Sequence, residues 1–168
     1  VLRGADASSI NPTPPWGALV PDTDWSITGR IELLLDGDWG QFSQFTSPMG
    51  SDRAVMLGVA VHGQHSERDG DPGQVSNIKV DQWGITADLS IQLDGASLVA
   101  AATWHHQKGL AGSVPTVDWQ GVVLQGSTYV TDDTEVFQRW EAGGDKQSSM
   151  GGANVNILTA GTNWYLED

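Results

Sequence analysis

The chain has 168 residues, a length that suits one domain. Its formal net charge of −13 argues against a partner nucleic acid, because phosphate binding needs clustered Lys and Arg. The absence of Cys excludes disulfides and thiolate metal sites, and no window approaches eighteen consecutive apolar residues, so no transmembrane helix is predicted.

Residues 1–24 form a Pro-rich stretch that predicts an irregular lead-in. From residue 25 to residue 168, alternation of apolar and polar side chains dominates, which is typical of β-strands. Taken in chain order, the predicted strands number about eight and cover residues 25–35, 39–46, 53–64, 82–93, 96–107, 117–131, 134–141 and 157–166. The strand at 39–46 has the weakest pattern.

The alternation is clearest over residues 82–93, where it continues for twelve residues. Globular strands usually have about 5–6 residues, whereas a tilted strand that spans a membrane needs about 9–11. Tight turns are predicted at Asp94-Gly95 and Asp132-Asp133, and longer polar segments at 65–79, 107–116 and 142–154. Alternation of short turns with long loops is the pattern of an antiparallel up-and-down transmembrane β-barrel.

The two predicted faces differ in chemistry. The polar face carries Gly, Ser, Thr and Gln with charged residues that a water-filled lumen would accommodate, namely Arg30, Glu32, Asp88, Glu135, Arg139 and Glu141. The apolar face carries Val, Ile, Leu and Ala, with Trp expected near strand ends, where a membrane interface favours it. These interface aromatic residues are Trp25, Trp83, Trp104, Trp140 and Trp164.

Periodicity alone leaves alternatives open. A soluble antiparallel barrel or sandwich, with its apolar face inside and a small apolar ligand bound there, has the same alternation. A structural or adhesive surface protein that uses barrel strands without conducting is a third interpretation. The transmembrane barrel and the soluble one differ in which face of the sheet points outward, whereas ion conductance distinguishes the third interpretation from a conducting barrel.

Five stretches carry a family resemblance: W-S-I-T-G-R-I-E at 25–32 with G-D-W-G-Q-F at 37–42, A-V-M-L-G-V-A-V-H at 54–62, D-L-S-I-Q-L-D-G-A-S-L at 88–98, G-V-V-L-Q-G-S-T-Y-V-T-D-D-T-E-V-F-Q-R-W at 121–140, and L-T-A-G-T-N-W-Y-L at 158–166. In this order the chain resembles the phosphate-selective porin O and P family, in particular its planctomycete-type members.

The resemblance implies a porin of the bacterial outer membrane, with a barrel of roughly sixteen to eighteen strands. Such porins are often trimeric and pass small solutes and ions by passive diffusion. The partners implied are outer-membrane lipid, small solutes and a homotrimer. The family also has strands before residue 25 and after Leu166, so the chain is expected to be a partial one. Phosphate selectivity is not carried over, because basic residues are few.

Catalytic and metal chemistry is weakly indicated. His62 and His65 lie near an acidic loop, but side chains three apart on a strand face opposite ways. The aspartates at 69, 71, 81, 132 and 133 do not match the twelve-residue calcium loop, and no Gly-x-Ser-x-Gly motif accompanies Ser, His and Asp. No cofactor and no enzyme activity are therefore predicted. Glu135 and Arg139 share a face, as an ion pair or as part of a charge ladder.

Overall fold

The computed structural model of the chain describes residues 22–68, 78–111, 115–147 and 154–166. Within these ranges the structure consists of long strands and one short 3₁₀ helix, Trp39–Ser43. The strands are β1 Asp22–Asp36, β2 Ala54–Arg68, β3 Ile78–Leu93, β4 Ala96–Ala111, β5 Val117–Thr131, β6 Thr134–Gln147 and β7 Asn154–Trp164. No helix in the described ranges is long and apolar enough to cross a membrane.

The seven strands form one antiparallel up-and-down sheet in sequence order, so the all-β prediction is confirmed. Each strand pairs with its neighbours along the chain, and among the described residues β1 and β7 are the two edges of a sheet that does not close on itself. The strands have 11 to 16 residues, far more than the usual 5–6. β2 continues to Arg68 and β6 to Gln147, further than the alternating pattern predicts. The connections predicted at 65–79 and 142–154 are therefore shorter than expected.

The predicted strand at 39–46 is wrong, and the sheet has seven strands rather than eight. Gly37 adopts a φ of +82°, a conformation that favours glycine and turns the chain out of β1. The Gln41 N–H then donates to the Asp38 carbonyl, and the Gln41 side chain accepts from the Asp38 N–H. These bonds close a helical turn where the sequence pattern suggested an extended strand.

The lead-in boundary also shifts. β1 begins at Asp22, three residues before the predicted start, with an irregularity in its pairing between Thr23 and Trp25. The rest of the predicted lead-in, residues 1–21, lies outside the described residues.

The apolar face of the sheet is uncovered by any other part of the described chain. Trp25, Ile31 and Leu158 are 54%, 70% and 66% exposed, and they represent a whole face of large apolar side chains. The buried hydrophobic residues in the described ranges are Ala54, Val80, Val117 and Tyr129. The sheet therefore has no packed apolar core of the kind that stabilises a soluble sandwich.

The polar face is the less exposed one. Gly58, Gly84 and Gln92 are buried on this face, whereas their neighbours Val59 and Trp83 on the apolar face are exposed. A single curled sheet crowds side chains on its concave side and spreads those on its convex side. The difference in exposure therefore indicates that the sheet curls towards its polar face.

Candidate functional site

The predicted charged residues all lie on the polar face. Residues paired directly across antiparallel strands project to the same side. Glu32, Asp88 and Glu141 lie in one continuous row of paired residues that crosses the sheet from β1 to β6 through Gly58, Ala101 and Val123. Arg30 and Arg139 lie on the same side in the two adjacent rows, and Glu135 lies on that side two rows beyond Arg139. The six residues therefore share one face of the sheet.

Arg30 is the centre of the better connected cluster. Its two terminal nitrogens donate to the two carboxylate oxygens of Asp88 at 2.7 and 2.9 Å, and its Nε donates to Glu32 at 2.7 Å. This is the bidentate geometry in which an Arg–carboxylate pair is strongest. The pair reaches from β1 to β3 across β2, so it connects two strands that are not neighbours.

Gly58 on β2 makes this long reach feasible. It stands between Glu32 and Asp88 in their row. A Cβ at this position would overlap the guanidinium of Arg30 and the carboxylate of Asp88. A side chain here would therefore displace the ion pair. Close packing explains why this position is a glycine, and strand periodicity does not predict it.

Arg139 has fewer partners than Arg30. Its Nη2 donates to Glu141 at 2.7 Å, while its Nε is buried without a hydrogen-bond partner. The ion pair between Glu135 and Arg139 that the sequence suggested is replaced by this Arg139–Glu141 pair, because residues two apart on a strand lie closer than residues four apart.

Glu135 instead accepts hydrogen bonds from three side chains, which come from two other parts of the chain. Asn163 and the Tyr165 hydroxyl donate to its Oε2, each at 2.8 Å, and the Thr46 hydroxyl donates to its Oε1 at 3.1 Å. Glu135 is only 3% exposed, and these donors compensate for its loss of water. The carboxylate therefore ties β6 to the end of β7 and to the connection between β1 and β2.

That connection, the 37–53 segment, lies across the polar face at the end of the sheet with the tight turns. Gln92 of β3 donates to the carbonyls of Gln41 and Gln44, and Ser97 of β4 donates to that of Phe45. The Gly50 N–H donates to the Asp94 carboxylate in the β3–β4 turn. The contacts of the 37–53 segment with β3 and β4 are not predictable from the sequence, because the segment has no periodic pattern.

The predicted interface tryptophans all lie on the apolar face. Trp25 and Trp83 lie towards the end of the sheet with the long loops. Trp104 lies in the middle of β4, away from the expected strand end, and packs edge to face with Trp83 at 4.4 Å. Trp164 ends β7 near the tight turns and donates to Asp133 at 3.0 Å. Trp140 departs from the expectation, because it lies in the middle of β6 rather than near an end.

Asp133 is held in the tight turn between β5 and β6. Hydrogen bonds from Thr131, Trp164 and Thr134 lower the pKa of its carboxyl below the ordinary value. The ionised carboxylate thus closes the turn and fixes the Trp164 ring.

The histidines divide between the two faces, as the sequence indicated. His62 lies on the polar face and forms a hydrogen bond with Thr28 at 2.8 Å. His65 lies on the apolar face and forms a hydrogen bond with Asp81 at 2.6 Å. His106 bonds Asp118 at 2.7 Å on the apolar side, away from His105. No pair formed by His62 and His65 is therefore available to a metal ion.

A different group was missed by sequence reasoning. Asp24, His65 and Glu67 bring one potential ligand atom each to within 4.8 Å of one another at the long-loop end. The aspartates considered for calcium are not brought together: Asp81 lies at one end of the sheet and Asp132 and Asp133 at the other, while Asp69 and Asp71 fall outside the described residues.

Comparison with known proteins gives no match. No protein-family model, no curated protein and no solved structure is similar to this chain at a significant level.

Proposed function

We propose that the chain forms part of the wall of an outer-membrane β-barrel, a porin through which small solutes and ions diffuse passively. The observation that carries the proposal is the uncovered apolar face. It extends over all seven strands, and a patch of this size on a soluble protein is a liability unless something covers it. Lipid hydrocarbon is a partner that needs no complementary shape.

The polar face supports the same interpretation. It is the less exposed side, it carries ion pairs at Arg30 and Arg139, and its middle strands present Ser, Thr and Gln. A porin lumen is polar and water-filled, with charged side chains that bias permeation. A ligand-binding soluble barrel would place its apolar side chains on the inside, which is the opposite arrangement.

The two edges of the sheet need partners in this proposal. Unpaired N–H and C=O groups of β1 and β7 cost several kcal/mol each in hydrocarbon, by the general estimate of about 2–7 kcal/mol for an unpaired polar group. Further strands would complete the barrel by pairing with β1 and β7, from the same polypeptide or from other subunits.

The charge of the polar face sets an expectation for selectivity. The residues of this face whose side chains are described include the arginines Arg30 and Arg139 and the carboxylates Glu32, Asp88, Glu135, Glu141 and Asp145. Both arginines are engaged by carboxylates. We therefore expect cations to pass more readily than anions.

Planar-bilayer recording tests the proposal. We expect stepwise conductance from the purified protein and, in a KCl gradient, a reversal potential on the cation side. Stable insertion into the bilayer without any conductance steps would contradict the porin and favour the structural or adhesive surface protein. A protein that stays in the aqueous phase when mixed with lipid vesicles would contradict the membrane location itself.

A further inference from the structure

The apolar face is not apolar throughout, and its polar residues are gathered at one end. Towards the long loops, this face carries charged or amide side chains on every strand from β2 to β7. They are His65, Glu67, Lys79, Asp81, His106, Lys108, Asp118, Gln120, Lys146, Asn154 and Asn156. Nearer the tight turns, the charged residue that pairing places on the same face is Asp36, which is opposite Val55 at the end of β1 and forms an ion pair with Arg53. The other polar residues of the described part of this face are Thr128, Thr131, Thr134, Gln138 and Thr162.

The boundary between these two zones crosses the strands on a diagonal. A reference row of directly paired residues runs from β1 to β7 through Leu33, Leu57, Leu89, Ala100, Leu124, Trp140 and Leu158. On β7 the apolar zone begins in this row, at Leu158. On β1 it begins at Trp25, eight residues before Leu33.

The strands between follow the same progression. The outermost large apolar side chain of this face lies six residues from the reference row on β3 (Trp83), four on β4 (Trp104) and two on β5 (Val122). On β2 it is Val61, four residues from the row, followed by Gly63. Trp140 on β6 lies in the row itself. On β6 the small residues Ala142 and Gly144 lie between Trp140 and Lys146. Apart from Val61 on β2, the outermost large apolar side chain therefore shifts in one direction from β1 to β7.

The slope of the boundary gives an angle. The boundary shifts by about eight residues along the strands over the six steps from β1 to β7. With a rise of about 3.4 Å per residue and a spacing of about 4.8 Å between strands, the boundary makes an angle of about 43° with the reference row. Strands of transmembrane barrels are tilted by about 35–45° from the membrane normal. The apolar zone spans Trp25–Leu35 on β1 and Trp83–Leu93 on β3, which at this tilt projects to about 25 Å, the height of the apolar band of such barrels.

We infer that the diagonal is the water–lipid boundary of one leaflet, so that the strands cross the bilayer at about 43° and the reference row crosses it obliquely; this inference rests on the proposed membrane location. Trp25, Trp83, Trp104 and Trp140 then lie at one depth although they occupy four different rows. The mid-strand position of Trp140 follows from the tilt. The charged residues beyond the diagonal lie among lipid headgroups and water.

Spin labels at single cysteines can measure these depths, because the chain has no native Cys. The four variants L33C, L89C, L124C and L158C sample the reference row, and T159C, adjacent to Leu158 on the polar face, is the matched control. Each protein is reconstituted in phosphatidylcholine–phosphatidylethanolamine vesicles. Accessibility to oxygen and to a water-soluble nickel chelate then gives the depth of each label.

We expect Leu33 and Leu158 labels near opposite surfaces of the bilayer, about 20 Å apart along its normal, as the row length and tilt require, with Leu89 and Leu124 labels deepest. The Thr159 label should meet the nickel chelate and not the lipid. Equal depth at all four row positions would overturn the tilt while leaving the membrane location intact. Labels without lipid contact at any row position, whether they are in water or immobilised under a protein partner, would overturn the membrane location as well.

Discussion

The two faces of this sheet are stabilised in different ways. On the polar face, contacts within the chain engage the charged groups: Asp88 and Glu32 bind Arg30, and Glu135 receives three donors. On the apolar face, large side chains have few partners within the described chain, and Leu158 is 66% exposed. Hydrogen bonds and ion pairs within the chain therefore stabilise the polar face, whereas the apolar face depends on contacts with whatever surrounds the protein.

Adjacent residues on opposite faces give the largest expected contrast. Leu89→Arg places a charge in the middle of the apolar zone, where lipid contact costs about 2–4 kcal/mol. Ser90→Arg places the same charge on the polar face, where water can solvate it, so we expect a small effect. The measurement is the free energy of unfolding in urea for both variants in lipid vesicles. Equal losses would mean that lipid does not cover the apolar face.

Glu135 tests the bonds on the polar face. Glu135→Ala leaves Asn163, Tyr165 and Thr46 without their acceptor, and we expect a loss of about 1–3 kcal/mol in the free energy of unfolding. Glu135→Gln keeps an acceptor oxygen in place and should lose less. If both variants unfold like the wild type, the hydrogen bonds of the carboxylate contribute nothing to stability.

Gly58 on the polar face and Gly29 on the apolar face allow the same substitution to be compared on the two faces. Gly58→Ala should destabilise the protein by about 0.5–1 kcal/mol, the range of a partly exposed ion pair, because its Cβ overlaps Arg30 and Asp88. A Cβ added at Gly29 would meet no atom within 4 Å, so Gly29→Ala should be neutral or slightly stabilising. Denaturant unfolding of both variants gives the sign of each change, and a neutral Gly58→Ala would speak against the ion pair.

The smallest expected effect concerns Asp133. Because its folded pKa is lowered, its contribution to stability is present above the unfolded pKa of about 3.9 and is lost as pH falls through the folded value. The difference in melting temperature between the wild type and Asp133→Asn should therefore be largest near pH 6 and shrink towards pH 2. A difference that does not change with pH would show that Asp133 is not held as the anion.

Sequence reasoning recovered the parts of the fold that depend on local pattern. The strands around 25–35 and 82–93, the Asp94-Gly95 turn and the common face of Arg30 and Asp88 follow from alternation and turn chemistry. The strand at 39–46 failed because a single positive φ at Gly37 redirects the chain. β4 continues through 105–110, where polar residues lie on both faces, because hydrogen bonds to β3 extend it beyond the alternating pattern.

The candidate site was less predictable, since its contacts are long-range. Thr46 reaches Glu135 across 89 positions of the chain, and Arg30 reaches Asp88 across 58. Both contacts depend on the register in which the strands pair. A single sequence predicts that register only where a tight turn joins two strands. The oblique row of tryptophans likewise becomes visible only when the strands are placed side by side.

The 37–53 segment narrows one mouth of the proposed passage. It covers the polar face at the tight-turn end, and the charges gathered there are Arg53 and the aspartates Asp36, Asp38, Asp52, Asp94, Asp132 and Asp133. A conduit with one narrowed, acidic mouth concentrates cations on that side. Such a conduit passes unequal currents at equal voltages of opposite sign, so this connecting segment would act as an electrical rectifier.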